Sequence, residues 1–357
     1  MDVKTTKTTE SQGERLKKRS NVGEIWHRLR KNKLSMICLA VLVIMILGII
    51  FAGVLSPYDY AEQDLTQRFA LPSMAEQGTL YAGGPLQPEG SSAGSLPLEG
   101  KFADRFSDTV TTTDTSYRSK DLSITVTAHT LGKGSNRVAY YVADVYTTNI
   151  RCFRTYFSQD TYGSGFEEHL TKMSRDVQAV LAMNGDSYCY NHQHTAGALI
   201  RNGTVYRAEP TSADVCVLFQ NGEMKTYSPD QFDLQQVMQE GAYQSWTFGP
   251  SLLDAQGKAL STFNTWDYIR KVHPRSAIGY YEPGHYCFVV VDGRQTGYSR
   301  GMTLEELAQV FDDLGCTAAY NLDGGHSTFM TLNHQVVNHP YKPEHKIVDC
   351  LYFGEVS

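Results

Sequence analysis

Arg275-Ser276-Ala277-Ile278-Gly279-Tyr280-Tyr281-Glu282-Pro283-Gly284-His285-Tyr286-Cys287-Phe288-Val289-Val290-Val291-Asp292-Gly293-Arg294 is the stretch on which the fold turns. Ser276–Tyr281 and Tyr286–Val291 are strand-like runs, and Glu282-Pro283-Gly284-His285 between them has turn composition, so the two runs form a hairpin. Setting Tyr281 against Tyr286 makes the partner numbers sum to 567, which places Arg275 opposite Asp292 at the open end. Downstream, Thr303 and Glu306 make a capping box. Leu304, Leu307, Ala308, Phe311 and Leu314 share one helical face, and Gly315 ends the helix. Thr317–Leu322 then returns as a strand that stops at Asp323-Gly324-Gly325. A helical crossover makes the strands it joins parallel, so Asp292 and Asp323 leave the sheet at the same edge, with Arg275 and Arg294 between or beside them.

A pair of carboxylates beside a guanidinium suits hydrolysis next to a phosphate: one carboxyl moves a proton while arginine grips the anion with two donors. The plainer alternative is a cross-strand Arg275–Asp292 ion pair and a tight turn at Asp323. A third apolar run, Val177–Ala182, reads as a strand leading into Met183-Asn184-Gly185-Asp186, where it exposes an amide and another carboxylate. Clustering of Asp186, Asp292 and Asp323 admits a divalent cation, because adjacent carboxylates repel unless protonated or neutralised. Nothing in the spacing fixes a metal. His192-Gln193-His194 reads as a surface loop rather than a metal-binding pair, and Trp246-Thr247-Phe248 as a sugar platform or as core.

Further β signals lie at Leu122–Ala128, Val138–Val145 and Val215–Phe219, with Asn202-Gly203 and Asn221-Gly222 suited to tight hairpins. The fold class is therefore α+β, a strand-rich mixed sheet. The Gly/Pro/Ser run Gly83–Gly100 reads as a tether, giving a linker over 56–100 and a folded domain over 101–357. Before it, Leu34–Leu55 is an uncharged apolar run long enough for one transmembrane helix. Residues 1–33 hold ten Lys/Arg against four Asp/Glu, so the positive-inside rule puts this basic segment in the cytoplasm and the domain outside. A cleaved signal peptide is the alternative, but the run is longer than an ordinary h-region and lacks an A-x-A exit. The remaining 22 basic and 34 acidic residues balance to −12, which argues against nucleic acid as a partner. Cysteines 152, 189, 216, 287, 316 and 350 are widely separated, with no C-x-x-C pair, and are read equally as disulfide partners or buried thiols.

Two resemblances sit on these residues. The segment 34–69 is similar to the first membrane segment of oligopeptide ABC-transporter permeases, and as no further span follows, it reads as an anchor rather than a transporter. Asn184-Gly185-Asp186, Arg275-Ser276-Ala277-Ile278-Gly279, Val290-Val291-Asp292-Gly293-Arg294, the Gly301–Ala308 helix entry and Asn321-Leu322-Asp323-Gly324-Gly325-His326-Ser327-Thr328 resemble, in order, the motifs of the phosphodiester glycosidase family. That resemblance implies a hydrolase releasing a sugar, N-acetylglucosamine among the candidates, from a 1-phosphodiester on cell-surface or exopolysaccharide material. It departs from the family at Asp186-Ser187-Tyr188 and at His326. The expected catalytic residues are Asp186, Asp292 and Asp323. Asn184, Gly185, Arg275, Arg294, Gly324, Gly325, Ser327 and Thr328 are expected to bind substrate. A non-catalytic glycan-binding module and a phosphodiesterase attacking phosphorus are the alternatives.

Overall fold

The computed structural model describes Trp26 and residues 29–50, 94–188 and 197–356, in two units, Met1–Ala70 and Leu71–Ser357. In the first unit the apolar run forms helix α1 (Lys33–Ile50), started by the Asn32 side chain, whose Oδ1 accepts from Leu34 N at 3.0 Å. Its 18 residues give a length of about 27 Å at 1.5 Å per residue, against a hydrocarbon core of about 30 Å. Among the described residues no helix is long and apolar enough to cross a membrane. Residues 51–55 of the expected span lie outside them.

The second unit is built of strands. They run β1 (Thr111–Thr112), β2 (Ser116–Arg118), β3 (Leu122–Leu131), β4 (Val138–Thr147), β5 (Phe153–Phe157) and β6 (Leu181–Asn184). Next come β7 (Ala198–Arg201), β8 (Thr204–Ala208), β9 (Val215–Phe219), β10 (Met224–Tyr227) and β11 (Ala242–Trp246). The last are β12 (Arg275–Glu282), β13 (His285–Val291), β14 (Ala318–Asn321), β15 (Met330–Leu332), β16 (Gln335–Val336) and β17 (Asp349–Phe353). Helices α2 (Leu170–Asp176), α3 (Leu234–Gln239), α4 (Asp267–Arg270) and α5 (Leu304–Leu314) punctuate them.

A seven-stranded sheet, β1-β2-β3-β4-β13-β12-β14, faces a five-stranded one, β16-β15-β6-β17-β5. Strand alternation decides what lies between them. Tyr286, Phe288 and Val290 of β13 join Ile124, Val145 and Ile278 against Phe153, Met183, Leu351 and Phe353 of the smaller sheet. The intervening Cys287, Val289 and Val291 point the other way, onto Leu304, Leu307, Ala308 and Phe311 of α5. Buried on both faces, β13 has the unbroken apolar composition of a central strand. Each such side chain contributes about 1.5–3 kcal/mol when taken out of water. Gly279 on β12 is required by this packing, since a Cβ there would lie 2.7 Å from both Cys287 Sγ and Phe311 Cε1.

Helix α5 keeps its expected bounds, its capping box and Gly315 in the left-handed region at φ 79°. The Asn202-Gly203 turn also holds: both residues have positive φ, and Arg201 pairs Thr204 across it. Two boundaries move. Val177–Val180 is the exit of α2 rather than strand, because the chain needs those residues to turn into β6. The fold begins before 101, since Leu96 and Leu98 are core residues and Leu96 N donates to Thr148 O at 2.8 Å. All described cysteines are free, and Cys287 and Cys316 approach to 3.8 Å; Cys189 and the His192–His194 loop lie outside the described residues.

Candidate functional site

Strands β13 and β14 are each antiparallel to β12 between them, and so parallel to one another, as the α5 crossover requires. Their C-terminal ends and the start of β12 therefore share one edge. The hairpin register differs from expectation by one. Glu282 pairs His285, with numbers summing to 567, but the register shifts between Tyr280 and Glu282, and beyond it Arg275 pairs Val291. On the other side Ala277 pairs Asn321, and that register carried on sets Arg275 across from Asp323.

Alternation along β12 gives its first two residues opposite duties. Ser276 faces the smaller sheet, and its Oγ donates to Asn184 Oδ1 at 2.6 Å. Asn184 Nδ2 in turn donates to Asp323 O at 2.7 Å, so this buried amide at the end of β6 holds the Asp323 backbone. Arg275 faces the α5 side. Its Nε donates to Met302 O at 3.0 Å, and its Nη2 donates to Ile269 O at 2.6 Å and to Lys271 O. Arg275 is 3% exposed, and among the described residues no carboxylate pairs with its guanidinium. Glu305 and Glu306 act on it only at longer range, being paired with Arg270 and Arg300. Burial pulls the Arg275 pKa down to about 9.

A two-lobed cleft opens at this edge. The larger lobe, about 580 Å³, is lined by Phe248, Trp266, Tyr268, Arg275, Arg294 and Asp323, with Gly324, Gly325 and His326 beside them. The smaller, about 220 Å³, has Glu167, Asn184, Ser327, His345, Lys346 and Asp349 in its wall beside Ile347 and Val348. Asp323 and Ser187 belong to both lobes, so Asp323 stands at the waist. Gly324 permits this closeness, as a Cβ there would lie 2.6 Å from Pro274 O. Arg294, in the left-handed region at φ 59°, reaches back over Gly325 and donates to Tyr341 OH at 2.8 Å. His326 stacks on His345 with centroids 4.2 Å apart, and Ser327 Oγ lies 3.1 Å from His345 Nε2.

Asp292 lies elsewhere. Buried, it accepts from Asn338 Nδ2 at 2.9 Å, His339 N at 3.0 Å and Tyr298 OH at 3.0 Å, and lines neither lobe. Burial outweighs these donors and raises its pKa. Its place is that of a tie between loops, and the expected Arg275–Asp292 pairing is corrected to Arg275–Val291. Thr328 is buried outside both lobes as well. Asp186 also lies behind the cleft wall, where Oδ1 accepts from Arg201 Nη2 at 2.8 Å and Oδ2 from Thr247 N at 3.1 Å. The same Arg201 nitrogen donates to Asp349 Oδ2 at 3.0 Å. Burial and the Asp186 charge raise the Asp349 pKa. Gly185 admits this arrangement, since a Cβ would meet the Asp349 carboxyl at 2.3 Å. The positive charge beside Asp186 among the described residues is the Arg201 guanidinium. Among the described residues no group of three His, Cys, Asp or Glu side chains gathers as for a metal. Trp246 is core, while Phe248 lines the larger lobe.

Sequence reasoning missed Asp349, Arg201, His345, Trp266 and Tyr268. Asp349 carried a signal, being the one charge in the apolar run Ile347–Phe353.

Residues 177–354 match the family model described as phosphodiester glycosidase, and residues 20–72 match the N-terminal TM domain of oligopeptide transport permease C. A SPbeta prophage-derived uncharacterized protein, YomE of Bacillus subtilis (strain 168), is 30% identical over 181 residues, which is 50% of this chain. The match spans only 28% of that relative's length. Among solved structures, the fold is similar to the catalytic domain of zebrafish N-acetylglucosamine-1-phosphodiester alpha-N-acetylglucosaminidase, auto-inhibited by its pro-peptide. The TM-score is 0.53 at 20% identity, over 70% of this chain and 88% of that one. A hypothetical protein from Synechocystis gives 0.52 at 13% identity, over 66% of this chain and 62% of its own. Sequence over residues 177–354 and fold over the wider unit agree, and this chain carries a strand-rich domain of the phosphodiester glycosidase family.

Proposed function

We propose that the domain hydrolyses a sugar-1-phosphodiester by attack at the anomeric carbon. The observation that carries this reading is Arg275: a buried cation without a carboxylate partner among the described residues, lining a cleft beside Asp323. Desolvating a charge without a counter-ion is unfavourable, and a phosphate in the larger lobe would supply the missing anion. In this reading the departing sugar occupies the smaller lobe and the phosphate lies toward Arg275 and Arg294. Asp323, at the waist, faces the bond between them. Water adds to C1 as the C1–O bond breaks, Asp323 takes the water proton, and the phosphate leaves as a monoester whose charge the guanidinium stabilises. Asn184 acts by holding Asp323, and the hydroxyl-binding groups of the smaller lobe orient the ring.

Lysine at 275 keeps the charge but not the planar donor set, and it cannot hold three backbone carbonyls while reaching an anion. Arg275→Lys is expected to lower hydrolysis of a sugar-1-phosphodiester by at least ~10-fold, with a smaller effect on any turnover of a neutral aryl glycoside of the same sugar. Equal losses on both substrates would remove Arg275 from the phosphate role.

The domain is further proposed to act outside the cell membrane, on surface glycan, tethered by the apolar N-terminal segment. The basic residues of 1–33 and the permease-type match over 20–72 support that orientation. Protease added to intact cells should release a soluble fragment that begins N-terminal to the core residue Leu96. Protection until lysis would reverse the orientation.

A further inference from the structure

Two of the buried cysteines face each other. Cys287 lies on β13 and Cys316 follows α5, and their Sγ atoms are 3.8 Å apart, in van der Waals contact within the apolar cluster under that helix. Strand β12 runs beside Cys287 in the sheet: Cys287 pairs Gly279, and Gly279 pairs Ala319 on its other side. A Cβ at position 279 would lie 2.7 Å from Cys287 Sγ, so the missing side chain is the passage by which that sulfur leans across β12 toward Cys316. Tyr281, also packed on the α5 side, interacts with both sulfurs. Neither thiol lines the cleft, and the proposed reaction uses neither.

Resting on the extracytoplasmic placement above, we propose that Cys287 and Cys316 form a disulfide when the domain folds in an oxidising compartment, tying β13 to the end of α5. Two S–H bonds break and one S–S bond forms. The two protons and two electrons reduce the disulfide of an exchange partner, a small-molecule or protein disulfide, to two thiols. The sulfurs close from 3.8 Å to a bond length of about 2.05 Å. Timing follows from burial. Both cysteines are at most 2% exposed, and burial pushes the Cys287 thiol well above its ordinary pKa, so thiolate is scarce once the domain has closed. The exchange therefore belongs to the folding chain, and the finished bond is a permanent staple rather than a switch. The loop it closes, across a separation of 29 residues, carries Arg294 and also Met302, whose carbonyl accepts from Arg275 Nε. The staple thus steadies the side of the cleft that holds the two guanidinium groups.

Trypsin places the two sulfurs on separate peptides, 276–294 and 301–346, each with one cysteine. Full-length protein taken from cells and alkylated in denaturant before digestion should yield these two peptides joined, and separate them only after reduction. Reducing the denatured chain and refolding it under reductant should lower the melting temperature by roughly 5–10 °C, and the same treatment should leave a Cys316→Ala variant where it was. The peptide map of the parent stands alone if that variant does not fold. If both peptides come from cells alkylated but join when the denatured chain refolds with glutathione disulfide, the pairing stands and the oxidising location falls. Alkylated peptides after that refolding as well, or either cysteine joined to a different one, would overturn the inference and leave the pair as two small apolar side chains of the core.

Discussion

Replacing Asp323 by Asn is expected to lower turnover of a sugar-1-phosphodiester by ~100-fold or more, about 2.7 kcal/mol of transition-state stabilisation, while the melting temperature stays near that of the parent. The separation of the two effects follows from how the residue is held. Its backbone carbonyl, which Asn184 Nδ2 grips, is untouched by the change. The amide keeps the carboxylate's shape and loses only its charge and its ability to take a proton. In the proposed reaction, with Asp323 at the waist of the cleft, that loss is a loss of chemistry. Asp292→Asn disturbs a different place. There the three donors from Asn338, His339 and Tyr298 meet a neutral amide in a buried site, so this variant should lose stability first and activity only with it. A larger turnover defect for Asp292→Asn than for Asp323→Asn, at equal melting temperature, would reverse the assignment.

The second large effect concerns the buried Asp186–Arg201–Asp349 group. Arg201→Met leaves two carboxylates without their shared cation in a site where all three side chains are about 1–2% exposed. Breaking such a group by removing one member costs about 3–5 kcal/mol. In a domain of this size that lowers the melting temperature by roughly 10 °C. The pH dependence carries the diagnosis. The Asp349 pKa is already raised in the folded protein above the ordinary 3.8, so the folded state binds more protons than the unfolded one between those values. Its contribution to stability is full below the unfolded pKa and is lost as pH rises through the folded one. Without Arg201 the Asp349 carboxyl loses the cation that opposes this rise and shifts further in the same direction. The penalty of Arg201→Met should therefore shrink toward pH 4 and be largest at neutral pH, as measured by melting curves across that range. A penalty independent of pH would mean that lost packing, not charge, explains it.

The parts of this site legible in the sequence are those set by local rules. Alternation, a turn and a capping box were enough to set β13, α5 and β14 in order, and crossover geometry then brought Arg275 and Asp323 to one edge. The register failed by one residue because a bulge at Tyr280–Glu282 leaves no local signature in a run of tyrosines. That slip sets Arg275 across from Val291 instead of Asp292, while the separate β12–β14 register, carried on, sets it across from Asp323. Asp186 was placed at a strand end correctly, but its partner could not be read. Arg201 lies on β7 and Asp349 on β17, brought together only by the packing of the smaller sheet. Trp246 and Trp266 look alike in sequence, each in a mixed polar and aromatic context, and only the fold buries one and leaves the other at the cleft mouth.

The claim on which the rest depends is that the bond broken lies between the anomeric carbon and oxygen, beside a phosphate held by Arg275. Hydrolysis of an N-acetylglucosamine 1-phosphodiester in oxygen-18 water, with mass spectrometry of both products, tests it directly. The account predicts label in the released sugar and none in the phosphate monoester. Label in the phosphate would mean attack at phosphorus, and would contradict the assignment of Asp323 and the smaller lobe to the sugar.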